Sequence, residues 1–294
     1  MQDFPSLSEQ EAASYLWPPF QTNKQSLDLF RTQILDFYQH HGRPFIWRES
    51  VDPYHILVSE VMLQQTQTSR AVPKYHQFLS QWPTLKALAS ASVLEILTLW
   101  KGLGYNRRAL YLLESAKLTE MWDYQLPADE KALLTLPGVG KATAAALMAF
   151  AFNRRSIYLE TNIRRVIIHC FFADQGGVHD RQIEEVLALL VDEIDDYKRW
   201  YYALMDYGVL LKSLLPNPNR RSAHYTKQST FENSNRQIRG LLIHLLSEEG
   251  ATEAAVIYDR LPSFSSDRID YCLSALQGEG FVEESGGVYR IKSS

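Results

Sequence analysis

The sequence predicts a mainly α-helical protein with a small C-terminal module of mixed structure. Apolar residues recur at helical spacing along most of the chain, and strand-like alternation occurs only near its end. Prolines divide the helical stretches, and each stands near a predicted helix start: Pro73, Pro83, Pro127 and Pro137. We therefore expect a series of helices joined by short turns.

The first long helix is predicted over residues 24–40, "KQSLDLFRTQILDFYQH". Its apolar side chains share one face, and the "HGRP" that follows ends the helix. Residues 54–68 begin as a nearly continuous apolar run and become polar at Gln64. This pattern predicts a second helix with a polar C-terminal end.

The last part of the chain has a different pattern. Residues 215–235 are polar and rich in Pro, Asn and Ser, which predicts a linker. Beyond it, "GFVEESGGVYRI" alternates across a Gly-Gly turn, which predicts a hairpin. Three helical patterns precede this hairpin, at 236–249, 252–261 and 266–278. Together they predict a winged-helix-like module at 236–294.

Composition is that of an ordinary globular protein. The 294 residues carry a net charge of −4, and 46% of them are hydrophobic. No apolar run approaches the roughly 18–20 residues of a membrane span, and the N-terminus lacks the features of a secretion signal. We expect a cytoplasmic protein without a membrane partner.

Cysteine and histidine usage argues against bound metal. The two cysteines, Cys170 and Cys272, are too few for a disulfide framework or a cysteine-ligated cluster. The eight histidines show no metal-ligand spacing. We expect no metal, no cofactor, and a buried thiol at Cys170.

Charge is segregated along the chain. From Leu241 onward nine acids face four bases, whereas a single acid, Glu232, lies between Lys212 and Arg239. The basic residues of that interval are Lys212, Arg220, Arg221, Lys227, Arg236 and Arg239. A local basic segment of this kind indicates nucleic-acid binding even where the net charge does not.

A glycine corner, "LPGVG" at 136–140, separates two helical patterns. Pro137 presets φ, and Gly138 and Gly140 permit backbone angles that other residues avoid. Exposed amides at the start of the second helix, with Lys141 beside them, predict a phosphate site. A plain helix–helix corner is the alternative.

Two carboxylates occur in unusual surroundings. Glu60 lies among apolar residues in "ILVSEVML", so we expect it to be buried with a raised pKa, as a general acid requires. Glu160 precedes an apolar stripe that predicts a helix from Thr161 or Asn162, and a helix N-terminus favours an ionised carboxylate. One neutral acid and one ionised acid divide the work of glycosidic bond cleavage. The alternatives are a structural ion pair for Glu60 and a capping role for Glu160.

Five segments occur in the order and spacing of a known family. They are "WRESVDPYHILVSEVMLQQTQTSRAVPKYHQF", "LWKGLGYNRRALYL", "LPGVGKATAAALMAFAF", "ETNIRRV" and "ALMDYGVLL". Over roughly residues 24–212 the chain resembles the helix-hairpin-helix DNA glycosylases, and among them the MutY-type adenine mismatch glycosylases. The resemblance implies a glycosylase domain of two helical subdomains over 22–214, with a DNA-binding cleft between them and a pocket for the flipped nucleotide. A basic linker at 215–235 then precedes the C-terminal module.

The resemblance also implies roles for individual residues. Glu60 protonates the purine leaving group, Glu160 stabilises the oxocarbenium-like sugar, and Asn162 supports Glu160. Trp47, Arg48 and Asp206 correspond to pocket-lining positions, Gln64, Gln65 and Tyr105 to wedges in the duplex, and Gly138, Gly140 and Lys141 to the phosphate-binding hairpin. Arg220, Arg221 and Lys227 in the basic linker are expected to add DNA affinity.

Five features depart from the family's pattern. Glu160 replaces an aspartate, Ala142 stands where relatives carry Lys, Ser or Tyr, and Arg164 replaces a Lys. Without either Lys, we expect no Schiff base and no strand cleavage. The stretch after "MDYG", "VLLKSLLPNPNRRSAHYTKQ", has no Cys, so we expect no iron–sulfur cluster. The acidic module stands in place of the family's longer reader of 8-oxoguanine, and we expect it to have a docking or structural role.

The sequence thus predicts a monofunctional DNA glycosylase of base excision repair. It would hydrolyse the N-glycosidic bond of a mismatched or damaged base in double-stranded DNA, with an adenine-type purine favoured, and act as a monomer. A catalytically silent DNA-binding relative is an alternative because of the change to Glu160. A glycosylase for a different damaged base also remains open. A transcription regulator acting through the winged helix is a third possibility, which the acidic tail disfavours.

Overall fold

The computed structural model describes residue 4 and residues 7–226 and 230–292. Their helices, in chain order, are α1 (Glu9–Ser14), α2 (Lys24–His41), α3 (Pro53–Leu63), α4 (Thr68–Gln81), α5 (Leu85–Ala89), α6 (Val93–Trp100), α7 (Arg107–Leu118), α8 (Glu130–Leu133), α9 (Lys141–Phe150), α10 (Thr161–Phe171), α11 (Asp180–Val191), α12 (Tyr197–Leu214), α13 (Asn235–Glu249), α14 (Ala254–Arg260) and α15 (Ser266–Gly278). The strands are β1 (Thr252–Glu253), β2 (Val282–Ser285) and β3 (Val288–Ile291). Single 3-10 turns occur at Ile46–Arg48, Thr119–Trp122 and Pro218–Arg221. The prediction of a mainly α-helical protein is confirmed.

The described residues fall into two compact units. Unit 1 comprises those of 1–56, 128–134 and 139–227, and unit 2 those of 57–127, 135–138 and 228–294. Helix α3 and the glycine corner each contain a boundary between the units. The sequence-based domain limits at 214 and 235 remain a prediction.

Unit 1 is built around α12, which packs against α2, α9 and α10. Its core contains large aromatic side chains, among them Phe30, whose ring centroid lies 5.1 Å from that of Phe171 and 6.2 Å from that of Trp200. Helix α10 approaches α12 closely at Gly208, where a Cβ atom would lie 2.4 Å from the carbonyl oxygen of Asn162. Only glycine fits at that crossing.

Unit 2 combines α4–α7 with the C-terminal module. Helix α7 packs against α5 and α6, and α13 packs against both α15 and α6. The three strands form an antiparallel sheet in the order β1-β3-β2. Gly286 and Gly287, with φ of 61° and 82°, make the turn between β2 and β3, which confirms the predicted hairpin.

Several sequence predictions can be compared with these bounds. The helix predicted over 24–40 is α2, capped by Asn23, whose side chain accepts a hydrogen bond from the Ser26 amide. The helix expected over 54–68 ends earlier, at Leu63. Before the glycine corner only the single turn α8 forms. Of the three C-terminal helices, the second is shorter than predicted because its first two residues pair with β3 as strand β1. The winged-helix assignment of the module stays a prediction.

The predicted linker is partly folded onto unit 1. Pro218, Asn219 and Ser222 are buried, and Ser222 forms an isolated parallel bridge with Val178. The thiol of Cys170 is fully buried in α10, as predicted. No helix among the described residues is long and apolar enough to cross a membrane.

Candidate active site

Glu160 is the N-cap residue of α10, the position that its sequence predicts. Its backbone is extended, and carboxylate Oε1 accepts hydrogen bonds from the amides of Asn162 (2.7 Å) and Ile163 (2.8 Å). The second oxygen, Oε2, accepts a longer bond of 3.3 Å from Asn162 Nδ2. These bonds fix the carboxylate in one orientation at the helix N-terminus.

Asn162, which donates to Glu160, is itself linked to α12 by hydrogen bonds. The Oδ1 atom of Asn162 accepts a 2.7 Å hydrogen bond from Arg165 Nη1, which also donates to the carbonyl of Gly208 at 2.8 Å. The same Gly208 permits the close helix crossing described above. Sequence reasoning missed Arg165 and Gly208, because "NIRRV" and "MDYG" reveal no contact between two helices over 40 residues apart.

Burial changes the titration of Glu160. Desolvation raises the pKa of its carboxyl and outweighs the backbone hydrogen bonds from Asn162 and Ile163 and the charges of Arg165 and Arg164, which lower it. The sequence argument expected the helix N-terminus to favour the ionised form. The two backbone hydrogen bonds do act in that direction, but desolvation acts against them and has the larger effect, which a local sequence pattern does not show.

Asp206, on α12, is fully buried between two arginines of unit 1. Its carboxylate accepts hydrogen bonds from the backbone amide and Nε of Arg43, both at 2.8 Å. Arg48 donates to it through Nη1 (2.7 Å) and Nη2 (2.8 Å). Burial alone lowers the pKa of Arg48, but its bonds and ion pair with Asp206 raise that pKa overall. The cluster therefore holds two cations around one anion.

A cavity of about 260 Å³ adjoins this cluster. Its lining residues are Tyr38, Gly42, Arg43, Pro44, Phe45, Arg48 and Glu49. The Nε atom of Arg48 is buried and has no hydrogen-bond partner among the described residues. An unsatisfied buried donor is costly, and a ligand acceptor would relieve that cost.

The three predicted pocket residues differ in their placement. Arg48 lines the cavity, whereas Asp206 lies behind the arginines that it binds. Trp47 is also buried, and its ring stacks on that of Phe45 at a centroid distance of 5.0 Å. Of the three residues, Arg48 alone lines the cavity, and their roles in a base pocket stay a prediction.

Glu60 lies on α3 in unit 2 and is half-buried, not fully buried as its sequence suggested. Its neighbours on the helix, Ser59 and Val61, are both buried. An acid at the edge of an apolar helix can meet a ligand while most of its surroundings exclude water.

The predicted wedge residues stand on two loops that Arg108 joins. Arg108 is buried, and its guanidinium donates to the carbonyls of Val61, Met62 and Gln64 at the end of α3. It also donates to the carbonyls of Leu103 and Gly104 in the loop before α7. Burial lowers the pKa of Arg108 to about 10, still far above neutrality.

Both joined loops have left-handed backbone at a wedge position. Gln65 has φ of 54° and Tyr105 has φ of 48°. Non-glycine residues rarely adopt this conformation, and such strain concentrates at functional sites. The exposed side chains of Gln65 and Tyr105 are thus held out on constrained loops, and sequence reasoning missed Arg108 as their support.

The glycine corner leads directly into the N-terminus of α9, and its phosphate-binding role stays a prediction. Gly138 has φ of 72°, and a Cβ atom there would lie 2.5 Å from the ring of Tyr111. Gly140 is the N-cap of α9, and a Cβ atom on it would meet nothing within 4 Å. Lys141, the first residue of α9, is exposed. Open space therefore lies in front of the helix N-terminus.

The basic residues of the predicted linker are not equivalent. Arg220 is exposed. Arg221 instead caps the C-terminus of α10 and donates to the carbonyls of Phe172 (2.9 Å) and Ala173. Lys227 lies outside the described residues. A DNA-binding role for all three stays a prediction, and the geometry favours Arg220 over Arg221.

The residues present do not fit an iron–sulfur cluster. Four thiolates normally hold such a cluster. This chain has two cysteines, Cys170 on α10 and Cys272 on α15, and both are buried. Across the described part of the chain, no group of three or more His, Cys, Asp or Glu side chains could hold a metal ion.

Neither of the two residues that replace lysines of the family, Ala142 and Arg164, supplies a nucleophile. The guanidinium of Arg164 pairs with Asp180 through Nε (3.0 Å) and Nη2 (2.7 Å). Ala142 is exposed in the first turn of α9.

Comparisons with known proteins agree with this arrangement. The family described as "HhH-GPD superfamily base excision DNA repair protein" matches residues 58–192. The adenine DNA glycosylase of Mycolicibacterium smegmatis is 31% identical over 271 residues, which are 86% of this chain and 92% of that protein. The Mycobacterium tuberculosis protein of the same name is 35% identical over 243 residues, 73% of this chain and 77% of that protein. The match to the Buchnera aphidicola protein, 34% identical, covers 65% of this chain and 54% of the relative.

Solved structures share the fold. A thermostable thymine-DNA glycosylase is similar with a TM-score of 0.58 and 28% identity, over 64% of this chain and 88% of the other. A non-covalent complex of endonuclease III with DNA has a TM-score of 0.50 and 17% identity over 64% of this chain and 85% of its own, and shows the fold alone. The chain therefore belongs to the helix-hairpin-helix superfamily of base excision DNA repair glycosylases, with the MutY-type adenine DNA glycosylases as its relatives.

Proposed function

We propose that this chain is a monofunctional DNA glycosylase that removes an adenine-type purine from a mismatched or damaged position in double-stranded DNA. The observation that carries the proposal is the Glu160 carboxylate, held at a helix N-terminus by two backbone amides and Asn162. A carboxyl group whose pKa is raised by desolvation is a candidate functional group, because its ionised form is held at a cost in stability.

The sugar is the site at which Glu160 acts. As the N-glycosidic bond breaks, its electron pair leaves with the base, and positive charge develops on C1′ and the ring oxygen of the deoxyribose. An ionised Glu160 stabilises this charge, and its fixed orientation avoids reorganisation during the reaction. Water then adds to C1′ and loses a proton, which leaves an abasic site.

The base leaves as a neutral molecule if it is protonated during departure. Glu60 is the proposed acid, and its half-buried position on α3 combines ligand access with apolar neighbours. A positioned carboxylic acid of this kind can transfer a proton to the departing base. Glu60 would therefore act on the departing base, and Glu160 on the sugar.

The cavity beside Arg48 is the proposed base pocket. Arg43 and Arg48 line it, and Phe45 offers an aromatic face. Guanidinium groups are donors only, so a purine with ring-nitrogen acceptors suits this cationic lining. Asp206 keeps both guanidiniums in place without itself facing the base.

A second candidate target is thymine. The solved structure that is 28% identical to this chain is that of a thymine-DNA glycosylase. Thymine also presents carbonyl acceptors to arginine donors, so the pocket chemistry alone admits it. Both candidates share the sugar chemistry of Glu160 and differ only in the departing base.

Strand cleavage is not part of the proposal. A Schiff base needs an amine nucleophile, and Ala142 and the Asp180-paired Arg164 offer none. We also propose that the chain acts as a monomer, since one copy carries both carboxylates and both wedge loops.

The test is base release from a panel of duplexes that carry single mismatches or lesions, with adenine or thymine opposite guanine or 8-oxoguanine. Abasic sites are detected as alkali-labile breaks. Glu60→Gln should reduce release by about 10²–10⁴-fold, and Glu160→Gln by at least as much. The matched control is Glu185→Gln, an exposed glutamate of unit 1 paired with Arg181, which should release base as the wild type does.

Two outcomes would contradict the proposal. Full base release by both Gln variants would show that these carboxylates do not carry the reaction. No release by the wild type from any duplex, with DNA binding retained, would favour the catalytically silent relative.

A further inference from the structure

The C-terminal module contacts one short segment of unit 2 at three points. The segment, residues 101–107, contains Tyr105 and consists of the loop between α6 and α7 and the first residue of α7. At its start, Lys101 Nζ lies 2.8 Å from Glu248 Oε1 on α13. At its end, Arg107 Nη1 donates to the carbonyl oxygen of Glu279 at 2.8 Å. The third contact is made by Tyr105 itself.

Tyr105 is held by Arg236, in the first turn of α13. Arg236 Nη1 donates to the Tyr105 hydroxyl oxygen at 2.6 Å, and the guanidinium carbon lies 5.6 Å from the centroid of the tyrosine ring. On the loop side, the guanidinium carbon of Arg108 lies 5.7 Å from the same centroid. Two guanidiniums therefore hold a ring that is still 37% exposed.

Further contacts fix the C-terminal module beside the segment that contains Tyr105. Glu279, which follows α15, accepts bidentate hydrogen bonds from Arg239 at 2.8 and 2.7 Å. The backbone carbonyl of the same residue accepts the bond from Arg107, so α7, α13 and the end of α15 meet at Glu279. Helix α13 also packs along α6. The acidic residues that disfavour DNA contact on the module thus serve, in part, to bind this basic loop.

We propose that Arg236 is a positioning residue for Tyr105. Through it, the C-terminal module fixes the orientation in which the Tyr105 side chain enters the duplex opposite the target base. The proposal rests on the proposed function and deepens it. Arg236 fixes the hydroxyl end of the ring, Arg108 fixes the backbone, and the exposed remainder of the ring is presented to DNA. Selection of the opposing base would then depend on a residue outside the glycosylase domain.

The experiment is a double-mutant cycle on DNA binding. The probe is a duplex with one tetrahydrofuran abasic analogue, placed opposite guanine, adenine, cytosine or thymine in turn, and an undamaged duplex of the same sequence. The variants are Arg236→Ala, Arg236→Lys, Tyr105→Phe and the combination of Arg236→Ala with Tyr105→Phe. The control is Arg290→Ala, an exposed arginine of the same module that pairs with Glu283.

Arg236→Ala should weaken binding to the abasic-analogue duplexes by about two- to tenfold, the range for loss of one hydrogen bond. The affinity for the undamaged duplex should equal that of the wild type. The differences in affinity among the four opposing bases should become smaller. Tyr105→Phe should have a similar effect, because it removes the same hydrogen bond and keeps the ring. The combined variant should be no worse than either single variant, and Arg236→Lys, which keeps a donor, should lie between Ala and wild type.

Three results would overturn the proposal. A loss that is equal on damaged and undamaged duplexes would make Arg236 a plain phosphate contact. Additive losses in the combined variant would show that Arg236 does not act through Tyr105. Unchanged binding and opposing-base preference would show that the contact only packs the module. Tyr105→Phe tests the same hydrogen bond if Arg236→Ala does not fold. Because the abasic analogue carries no base to release, the result does not depend on whether the wild type is catalytically active.

Discussion

Replacement of Glu160 by Gln should make the protein more stable at neutral pH while it strongly reduces base release. The folded state raises the pKa of this carboxyl, so the folded protein binds the proton more tightly than the unfolded chain does. Ionised Glu160 therefore reduces the free energy of unfolding at pH 7, and this cost disappears as pH falls through the raised pKa. A neutral Gln avoids the cost at every pH.

The magnitude follows from the contacts of Glu160. Each unit by which burial raises the pKa corresponds to about 1.4 kcal/mol of unfolding free energy above that pKa. The amide oxygen of Gln can still accept from the backbone amides of Asn162 and Ile163, and only the 3.3 Å bond from Asn162 Nδ2 is lost. A single bond of that kind contributes about 1 kcal/mol. We expect net stabilisation at pH 7 and a small net loss near pH 4, where the wild-type carboxyl is protonated in both states.

The assay is urea unfolding followed by tryptophan fluorescence, for wild type and Glu160→Gln, at several pH values from 4 to 8. Glu11→Gln is the control in the same unit. Glu11 forms an exposed capping box with Ser8, whose hydrogen bonds lower its pKa, so the replacement should destabilise at neutral pH, and the loss should shrink as pH falls.

The reasoning is refuted if Glu160→Gln behaves like Glu11→Gln. A simple capping acid contributes stability in its ionised form, and loss of such a cap costs about 0.5–2 kcal/mol. Destabilisation at pH 7 that lessens toward pH 4 would therefore identify Glu160 as a cap and remove the argument that its burial serves a reaction.

Three further predictions follow from the site. The purified protein should be colourless, and bound iron with absorbance near 400 nm would show that a cluster forms despite two buried cysteines. Borohydride should trap no covalent complex with abasic DNA, and a trapped complex would reveal an amine nucleophile that Ala142 and Arg164 do not provide. Charge reversal at Arg220 and Lys141 should weaken DNA binding and flatten the linear fall of log affinity with log salt, by about one unit of slope for each phosphate contact; an unchanged slope would exclude both residues from the interface.

Local patterns predicted much of the fold and the position of the main carboxylate. The apolar periodicity after Glu160 places the start of α10 correctly, and the N-cap follows from that start. The Pro-Gly-Val-Gly sequence likewise predicts a turn whose Gly138 needs left-handed backbone. Such features depend on residues within one or two helical turns of each other, where spacing alone carries the information.

Contacts between distant segments could not be predicted in this way. Arg108 looks like an ordinary basic residue in a helix, yet it binds carbonyls up to 47 residues earlier in the chain. Arg236 and Tyr105 are 131 residues apart, and nothing in either local sequence points to the other. The titration of Glu160 escaped prediction for a related reason, since its desolvation depends on packing across helices rather than on helix position.

The shared guanidinium of Arg108 has a consequence for the thermodynamics of DNA binding. Loops that become ordered only on contact with a ligand lose conformational entropy at that moment, about 1–2 kcal/mol for each backbone residue fixed. Here the loops that carry Gln65 and Tyr105 are already joined through one buried side chain, so this entropy is lost during folding instead. If Gln65 and Tyr105 enter the duplex as proposed, they do so as a preorganised surface, and the loops cannot adapt to DNA that does not match their fixed spacing. Discrimination between damaged and normal duplex would in that case be expressed mainly in the energy needed to deform the DNA, with little contribution from rearrangement of the protein.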